Sequence, residues 1–465
     1  MKKWYTEVQL LDRLRVRELG IPLAQKYDLC ERNRQQTLYQ KDVKGHYGCV
    51  NAVEFSPKGT YIVSGGDDLR VILWKAVDFF TQDQPKPFQI MKSKHFSNIF
   101  ALDFSLGTER IYSAGNDHTL FVHDIATGES SQSYSADRCF YGISIHPHDD
   151  NVFAAASEDG RVRIYDLRNS EECHAIKQPG PVFCGEYNPV QSNLMCVCGS
   201  KMGLTVYDHR MLKEAFASAG SFTQHAIHGD WNDRGDAIFC IRSKSKPLVF
   251  DLHTSNHIEL NDPSYENICT VKSCTFLNSQ YVMTGGDDWN IYIWKVPERI
   301  ESIDEAFTVL KGHRSIVNHI RYSEENNMIV SCGVEKILKV WSGMPINQSY
   351  RDPPRRQPLS MSQRRAYSYL DEVDNVEEDL NTLHMFDSFT HQNEDMENEM
   401  ELDLSDDDDD READGLLHGY IFRFAHHGEE DYNEVVLSSN ESSDTDMDRD
   451  GDSSEDDAGF QMFET

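Results

Sequence analysis

Two twelve-residue stretches decide the fold: SGGDDLRVILWK at residues 64–75 and TGGDDWNIYIWK at residues 284–295. Each begins with a glycine- and aspartate-rich turn and continues as an alternating strand that ends near an aromatic residue. Weaker copies occur elsewhere, and the near-terminal positions align at Trp74, His123, Tyr165, Tyr207, Phe250, Trp294 and Trp341. Their spacings are 49, 42, 42, 43, 44 and 47 residues, which indicates a repeat protein.

A second strand pattern lies upstream of these stretches in several repeats. It alternates, or nearly so, at VNAVEF (50–55), NIFALDF (98–104), FYGISI (140–145) and IVNHIRY (316–322). A unit of 42 to 49 residues has the period of a WD-repeat blade, which contains four short strands. Seven units close into a ring because only closure removes exposed sheet edges. The sequence therefore predicts an all-β fold, a seven-bladed WD-repeat β-propeller.

The segment TLYQKDV at residues 37–43 precedes the first repeat. The sequence unit of a WD repeat begins with the outer strand of the preceding blade, so the last blade needs a strand from elsewhere. We expect this segment to pair with the strand at 338–341 and to close the ring, with Leu38 near Val340.

The formal net charge of −33 is unevenly placed. Residues 343–465 carry 35 acidic and 8 basic side chains, a net charge of −27, which leaves −6 for residues 1–342. Such an acidic segment cannot bury enough apolar surface to offset the entropy of ordering, so we expect a disordered tail over 343–465. The propeller is predicted over 36–342, after a short N-terminal helical segment over 1–35.

The composition argues against several function classes. The sequence has no basic footprint for direct nucleic-acid binding and no apolar run long enough to span a membrane. The N-terminus is charged throughout, unlike a signal peptide. The 11 cysteines include no CxxC pair, so we expect an intracellular protein of the nucleus, the cytoplasm or both.

No metal or cofactor is predicted. Cys196 and Cys198 alternate along a strand and share one face, which favours a buried apolar role over a metal or redox site. The pairs His225-Ala-Ile-His228 and His426-His427 lack convergent acidic or cysteine partners at the usual zinc spacing. The glycine-rich pairs are typical of hairpin turns and match no phosphate-binding loop.

The first blade contains His46, Ser64, Asp68 and Trp74, and the first three are the residue types of a hydrolytic triad. An acidic residue recurs six positions before the aligned position in four other repeats, at Asp117, Asp159, Asp288 and Glu335. A group repeated once per blade favours packing over a single active site. We therefore predict a structural hydrogen-bond network and no catalytic residue.

The same network is predicted in the last blade, where it includes His313 and Trp341. Blades four and five have Lys201 and Lys244 at the acidic position, so their turns must be held differently. Because no other constellation points to chemistry, we expect a protein that is not itself an enzyme.

Two arginines follow the third strand of adjacent repeats. One repeat ends Tyr165-Asp166-Leu167-Arg168 and the next ends Tyr207-Asp208-His209-Arg210. The two arginines are 42 residues apart and occupy equivalent points. Strand order places both on the face opposite the loops that contain the Gly-His pairs, so we expect them on one rim. The alternative is that each arginine only pairs with a nearby aspartate and orders its own loop.

Residues 153–168, FAAASEDGRVRIYDLR, resemble the sixteen-residue box of cullin-4 substrate receptors, which ends in W/Y-D-x-R. Residues 194–210 form a poorer copy, with Lys201 in place of the box aspartate. The resemblance to the WD-repeat cullin-4-associated factors of animals covers most of residues 22–342. Both motifs have tyrosine where that family has tryptophan, a change that keeps the aromatic packing.

The resemblance implies how the chain docks. In that family the box arginine contacts the triple-propeller adaptor of the cullin-4 RING ubiquitin ligase, and a helical segment ahead of the propeller inserts into the same adaptor. The candidate helical segment here is residues 4–19. The implied adaptor-binding residues are Tyr165, Asp166, Arg168, Tyr207, Asp208 and Arg210.

The implied function is a non-catalytic substrate receptor of a cullin-4 RING E3 ubiquitin ligase. Such a receptor would present a protein substrate, whose identity the sequence does not give, on the opposite face or at the central opening. The alternative is a generic WD-repeat scaffold or chromatin-associated protein whose acidic tail binds basic proteins such as histones.

Overall fold

The computed structural model describes residues 38–169, 172–210, 215–218, 225–278, 280–296, 303–343 and 345–351. These residues form seven four-stranded antiparallel sheets. The inner strands of successive sheets contact one another, and the inner strand of the last sheet contacts that of the first, so the sheets form a closed ring. The predicted seven-bladed β-propeller is confirmed. The helical segment predicted at 1–35 and most of the predicted tail lie outside the described residues.

Each blade runs from an inner strand at the central channel to an outer strand at the periphery. The strands of blades 1 to 4 are β2 (Val50–Phe55), β3 (Tyr61–Gly66), β4 (Ile72–Lys75), β5 (Gln89–Ile90), β6 (Ile99–Phe104), β7 (Arg110–Gly115), β8 (Thr119–Asp124), β9 (Ser130–Ser135), β10 (Phe140–Ile145), β11 (Val152–Ser157), β12 (Arg161–Asp166), β13 (Glu172–Lys177), β14 (Val182–Tyr187), β15 (Leu194–Gly199), β16 (Gly203–Asp208) and β17 (Ala215–Ser218). The strands of blades 5 and 6 are β18 (Ala226–Trp231), β19 (Ala237–Arg242), β20 (Leu248–Asp251), β21 (His257–Glu259), β22 (Cys274–Asn278), β23 (Tyr281–Gly285), β24 (Asn290–Lys295) and β25 (Thr308–Lys311). Blade 7 contains β26 (Val317–Ser323), β27 (Met328–Gly333), β28 (Ile337–Ser342) and, as its outer strand, β1 (Tyr39–Lys44).

The strand β1 closes the ring. It pairs antiparallel with β28, with Lys41 opposite Val340, and Leu38 just before it is buried. The predicted closure by the segment ahead of the first repeat is confirmed. After β28 the chain returns to β1, where the backbone N–H of Gln40 donates to the carbonyl of Tyr350 at 2.7 Å and the reverse bond measures 2.9 Å.

One short helix, α1 (Ala76–Thr81), follows β4. Phe79 in this helix packs on Trp74 with ring centroids 5.9 Å apart. Lys41 donates from Nζ to the carbonyl of Phe79 at 3.0 Å, which ties β1 to the helix. Burial lowers the pKa of Lys41 to about 8, against the opposing effect of Asp83. In the described part of the chain, no helix has the length and apolar character needed to cross a membrane.

The hydrophobic core lies between neighbouring blades. The core shared by blades 4 and 5 contains Cys184, Cys196, Cys198 and Cys240 together with aliphatic and aromatic side chains. The nine cysteines whose side chains the structure describes are buried free thiols. Cys196 and Cys198 lie on the same face of β15 and belong to this apolar core, as predicted from their alternation.

Candidate protein-docking site

The strand β12 ends at Asp166, and the chain turns sharply through Leu167. The backbone N–H of Leu167 donates to the carbonyl of Asn151 at 2.8 Å, which ties the turn to the β10–β11 loop. Arg168 folds back over the turn and donates from Nε and Nη2 to Oδ1 and Oδ2 of Asp166 at 2.7 and 2.6 Å. This bidentate contact, which we call an aspartate–arginine fork, fixes the direction of the guanidinium.

The strand β16 ends in the same way one blade further on. Arg210 donates from Nε and Nη2 to Oδ1 and Oδ2 of Asp208 at 2.9 and 2.6 Å. The backbone N–H of His209 donates to the carbonyl of Asn193 at 2.9 Å, as Leu167 does in blade 3. The two forks therefore repeat one geometry on adjacent blades.

Both guanidiniums face solvent although their aspartates hold them. The side chains of Arg168 and Arg210 are 60% and 62% exposed, and no described residue accepts a hydrogen bond from Nη1 of either. Hydrogen bonds from Arg168 hold the pKa of Asp166 below its usual value. Those from Arg210 hold the pKa of Asp208 at about 2, against the opposing effect of burial. Both forks therefore stay ionised at physiological pH.

A histidine cluster lies between the two forks. Asp149 accepts a second bond from Nη2 of Arg168 at 3.1 Å and donates its backbone N–H to Nδ1 of His146 at 3.1 Å. The His146 ring lies 6.5 Å from the ring of His209, the residue before Arg210. One continuous set of side chains joins the arginines, which lie on one rim. Burial lowers the pKa of both His146 and His209, so these two rings are neutral at physiological pH.

The aromatic residues of the two motifs belong to the blade cores. Tyr165 and Tyr207 are 3% and 5% exposed. Tyr165 stacks on Phe153 with ring centroids 5.1 Å apart, and the Tyr207 hydroxyl accepts a bond from Nε2 of Gln178 at 3.4 Å. The tyrosines hold the strand ends from which the forks project, and the arginines present the surface.

The predicted structural network is present in blade 1. His46 donates from Nδ1 to Oδ2 of Asp68 at 3.0 Å and accepts at Nε2 from the Ser64 hydroxyl at 2.7 Å. The Ser64 oxygen accepts in turn from the Trp74 indole N–H at 2.8 Å. Ser64 is fully buried and its hydroxyl is occupied on both sides, so it has no route to a substrate. This geometry favours the structural interpretation over a catalytic triad.

Blade 7 repeats the network, and blade 2 contains a variant of it. His313 lies 2.6 Å from the Ser331 hydroxyl, which accepts from the Trp341 indole at 2.8 Å, while Glu335 replaces the aspartate. In blade 2, His123 takes the place of the tryptophan and lies 2.8 Å from the equivalent serine. Burial lowers the pKa of His123 to about 3, so the neutral ring donates as an indole would.

The turns of blades 4 and 5 are held by other side chains, as the presence of Lys201 and Lys244 predicts. In blade 4, Gln178 donates from Nε2 to Oγ1 of Thr205 at 2.7 Å. In blade 5, the buried Arg242 donates from Nε and Nη2 to one carbonyl of the β19–β20 turn at 2.9 and 2.6 Å. The two lysines showed that these turns differ from those of the other blades. They did not identify Gln178 and Arg242, because glutamine and arginine are not residue types of the histidine and serine network.

The inner strands line a central channel with an open volume of about 1100 Å³. The strand registers place equivalent residues of the seven blades in rings. The ring nearest the network loops, the upper ring, contains Asn51, Phe100, Tyr141, Phe183, Ile227, Lys272 and Asn318. The ring nearest the arginine rim, the lower ring, contains Glu54, Asp103, Ser144, Glu186, Asp230, Thr275 and Arg321.

The lower ring is charged and links neighbouring blades. Arg321 pairs with Glu54 at 2.5 Å between Nε and Oε2, which joins blade 7 to blade 1. Asp103 accepts from the backbone N–H of Ile145 in the next blade at 3.0 Å. Burial, with a contribution from Glu54, raises the pKa of Asp103 to about 8. Sequence reasoning missed this ring, although an acidic residue near the end of four inner strands is a signal that would have revealed it.

Three side chains with metal-ligating atoms meet in the channel wall. The ligand atoms of Cys184, Glu186 and His228 all lie within 4.8 Å of one another. The expectation that His228 lacks cysteine and acidic partners is therefore wrong. Adjacent inner strands bring together residues that are more than forty positions apart in the sequence, and the spacing of a single motif does not show this.

The family described as WD domain, G-beta repeat matches residues 36–75, 128–166 and 305–342. These matches cover the first, third and last repeats of the ring, together with the closing strand β1. With seven four-stranded blades and the networks of blades 1, 2 and 7, they define the protein as a WD-repeat β-propeller.

The DDB1- and CUL4-associated factor 5 of Mus musculus and that of Homo sapiens are each 36% identical over 322 residues, which is 66% of this chain and 34% of theirs. Over the propeller the chain is therefore similar to WD-repeat DDB1- and CUL4-associated factors. The WD and tetratricopeptide repeats protein 1 of Homo sapiens is 25% identical over 280 residues, 57% of this chain and 39% of that relative. The WD repeat protein iqw1 of Schizosaccharomyces pombe is 29% identical over 201 residues, 38% of this chain and 24% of that relative. The chain spans about a third of the length of the factor 5 relatives.

Proposed function

We propose that the chain is a non-catalytic substrate receptor of a cullin-4 RING ubiquitin ligase and that it docks on the ligase adaptor through the rim carrying Arg168 and Arg210. One observation carries the proposal: two forks of the same geometry project from adjacent blades with more than half of each arginine side chain exposed. The relatives that are 36% identical to the chain are named for their association with DDB1 and CUL4.

The fork geometry suits a protein contact. Each aspartate fixes the rotamer of its arginine before binding, so less side-chain entropy is lost when a partner engages the guanidinium. Nη1 of Arg168 and of Arg210 faces outwards and can donate to a carbonyl or carboxylate of the partner. Arginines in such positions are frequent interface hot spots, whose truncation costs about 2 kcal/mol or more.

The opposite face is left for a protein substrate. Tyr47 and Phe96 follow the network histidines of blades 1 and 2 and are 77% and 87% exposed. The Arg70 guanidinium lies over the Tyr47 ring at 4.2 Å from its centroid. Exposed aromatic and arginine side chains are enriched at protein interfaces, so these residues support substrate binding beside the channel mouth.

A binding measurement with the full chain and purified DDB1 tests the proposal. The double variant Arg168→Ala, Arg210→Ala removes two contacts of about 2 kcal/mol each, so we expect the affinity to fall about 1000-fold. Lys92→Ala is the matched control, because Lys92 is 62% exposed and pairs only with Glu129 among the described residues. Undiminished binding by the double variant, or an equal loss in the control, would contradict the proposal.

Undiminished binding would favour the alternative function, a scaffold or chromatin-associated protein. The observation behind it is the net charge of −27 over residues 343–465. That function predicts histone binding that weakens with added salt, because screening acts on exposed charges, and that is lost when residues 371–465 are removed.

A further inference from the structure

The channel wall holds chemistry-bearing side chains that the docking rim does not use. Cys184 and Glu186 are two residues apart on β14 and therefore point to the same side of the strand. His228 comes from β18, the inner strand of the next blade, and the three ligand atoms lie within 4.8 Å of one another. We propose that Cys184, Glu186 and His228 bind one zinc ion, which links blade 4 to blade 5.

The donor set fits zinc. A thiolate, an imidazole and a carboxylate are the three kinds of protein ligand that zinc uses, whereas magnesium and calcium require oxygen donors. Zinc–ligand distances of about 2.0–2.3 Å place tetrahedral donors roughly 3.5 Å apart, so the widest separation of 4.8 Å closes by roughly 1 Å on binding.

Coordination requires a thiolate, a carboxylate and a neutral imidazole, so zinc binding releases the protons that these groups carry and weakens as the pH falls. The guanidinium of Arg321 forms its ion pair with Glu54, and its charge also acts on Glu186.

His228 is prepared to act as a ligand. Nδ1 of His228 accepts from the backbone N–H of Cys274 in blade 6 at 3.5 Å and lies 3.4 Å from Sγ of the same residue. These contacts fix the orientation of the ring.

The position of the site between β14 and β18 suits a structural role. Blades 4 and 5 have lysines, Lys201 and Lys244, where blades 1, 2 and 7 have the acidic residue of the network. Their turns are held by bonds within each blade, from Gln178 and Arg242. A metal bound between β14 and β18 adds a link between these two blades, because metal-binding energy adds directly to folding energy.

Cobalt substitution tests the proposal on the full chain. The purified protein is stripped with a chelator, titrated with Co²⁺, and followed by the absorption band of a thiolate bound to cobalt. We expect one cobalt per chain with a sulfur band, no band in Cys184→Ser, and an affinity at least about 100-fold weaker in Glu186→Gln and His228→Asn. The matched controls Cys196→Ser and His319→Asn keep both the band and the affinity.

Several results would overturn the proposal: no sulfur band in the wild type, a band that survives Cys184→Ser, or an unchanged affinity in both Glu186→Gln and His228→Asn. Cobalt bound elsewhere, for example at His426 and His427, gives no sulfur band. If such binding accounts for all the cobalt, the proposal is contradicted. Circular dichroism checks the fold of each variant. If Cys184→Ser does not fold, the two variants that keep the thiol decide, and zinc should raise the melting temperature of the wild type more than that of His228→Asn.

Discussion

Removal of one hydroxyl group from blade 1 measures what the structural network contributes to stability. The Ser64 hydroxyl lies 2.7 Å from Nε2 of His46 and accepts from the Trp74 indole at 2.8 Å. Ser64→Ala keeps the volume of the side chain nearly unchanged but removes both hydrogen bonds. Ser64 is 0% exposed and Trp74 is 1% exposed, so water does not replace the lost partner.

The expected loss follows from the number of unpaired groups. A buried donor or acceptor without a partner costs about 1–3 kcal/mol, and Ser64→Ala leaves two of them, the His46 nitrogen and the Trp74 N–H. Burial of the serine hydroxyl itself no longer has to be offset, which returns roughly 1–2 kcal/mol. We therefore expect the free energy of unfolding to fall by about 1–4 kcal/mol.

Equilibrium urea unfolding followed by circular dichroism gives this free energy. Ser157→Ala is the matched control, because Ser157 is equally buried but its hydroxyl has no hydrogen-bond partner among the described residues. The control should leave the free energy unchanged or raise it, since it removes an unpaired buried polar atom. An equal loss in the two variants, or no loss in Ser64→Ala, would refute the assignment of stability to the network.

Two further predictions concern buried ionisable groups. Burial raises the pKa of the Cys269 thiol to about 12, whereas in the unfolded chain a thiol ionises near a pH of about 8.5. The Cys269 thiol therefore favours the folded state fully below the unfolded pKa, and its contribution falls by about 1.4 kcal/mol per pH unit above it. Other buried thiols add to the alkaline slope of the wild type, so urea titrations under reducing conditions should show a slope that is smaller in Cys269→Ala by about that amount. Lys272 and Asp287 form an ion pair whose side chains are 0% and 2% exposed. Lys272→Met should lower the free energy of unfolding by about 3–5 kcal/mol because it leaves the Asp287 charge uncompensated, and adding Asp287→Asn should recover part of the loss in the same titration; no recovery would show that the charge is not the cause.

The repeat spacing predicted the fold because every blade is built from hairpins within one unit of 42 to 49 residues. The turns and alternating strands of such a unit can be recognised in the sequence. Seven units of this kind predict a closed ring. The closing strand β1 was predictable because the last repeat lacks an outer strand of its own. Residues 1–35 and 352–465 lie outside the described part of the chain, so the predictions made for them stay predictions.

The docking site could be predicted only in part. Arg168 and Arg210 stand out because they repeat at one spacing, and their aspartates precede them in the same turns. The link through His146 depends on ring contacts between two blades, which no single repeat contains. Cys184 and His228 are 44 residues apart, about one repeat, so only the alignment of the inner strands in register shows that they are neighbours.

Two forks can bind one partner together only if the distance between their blades is fixed. A two-point contact has a higher affinity than a single contact only when both points fit the partner at the same time. Blade 4 lacks the histidine and serine network, so that distance must be set elsewhere. The lower ring of the channel lies at the same end of the strands as the forks. There the Ser144 hydroxyl accepts from the backbone N–H of Tyr187 at 3.1 Å, which joins β10 to β14. The Tyr187 ring in turn lies 5.1 Å from His146 in the cluster between the arginines. The Ser144 bond and the Tyr187 ring thus connect blades 3 and 4 beneath the proposed docking rim, so we expect Ser144 to help set the distance between the two forks.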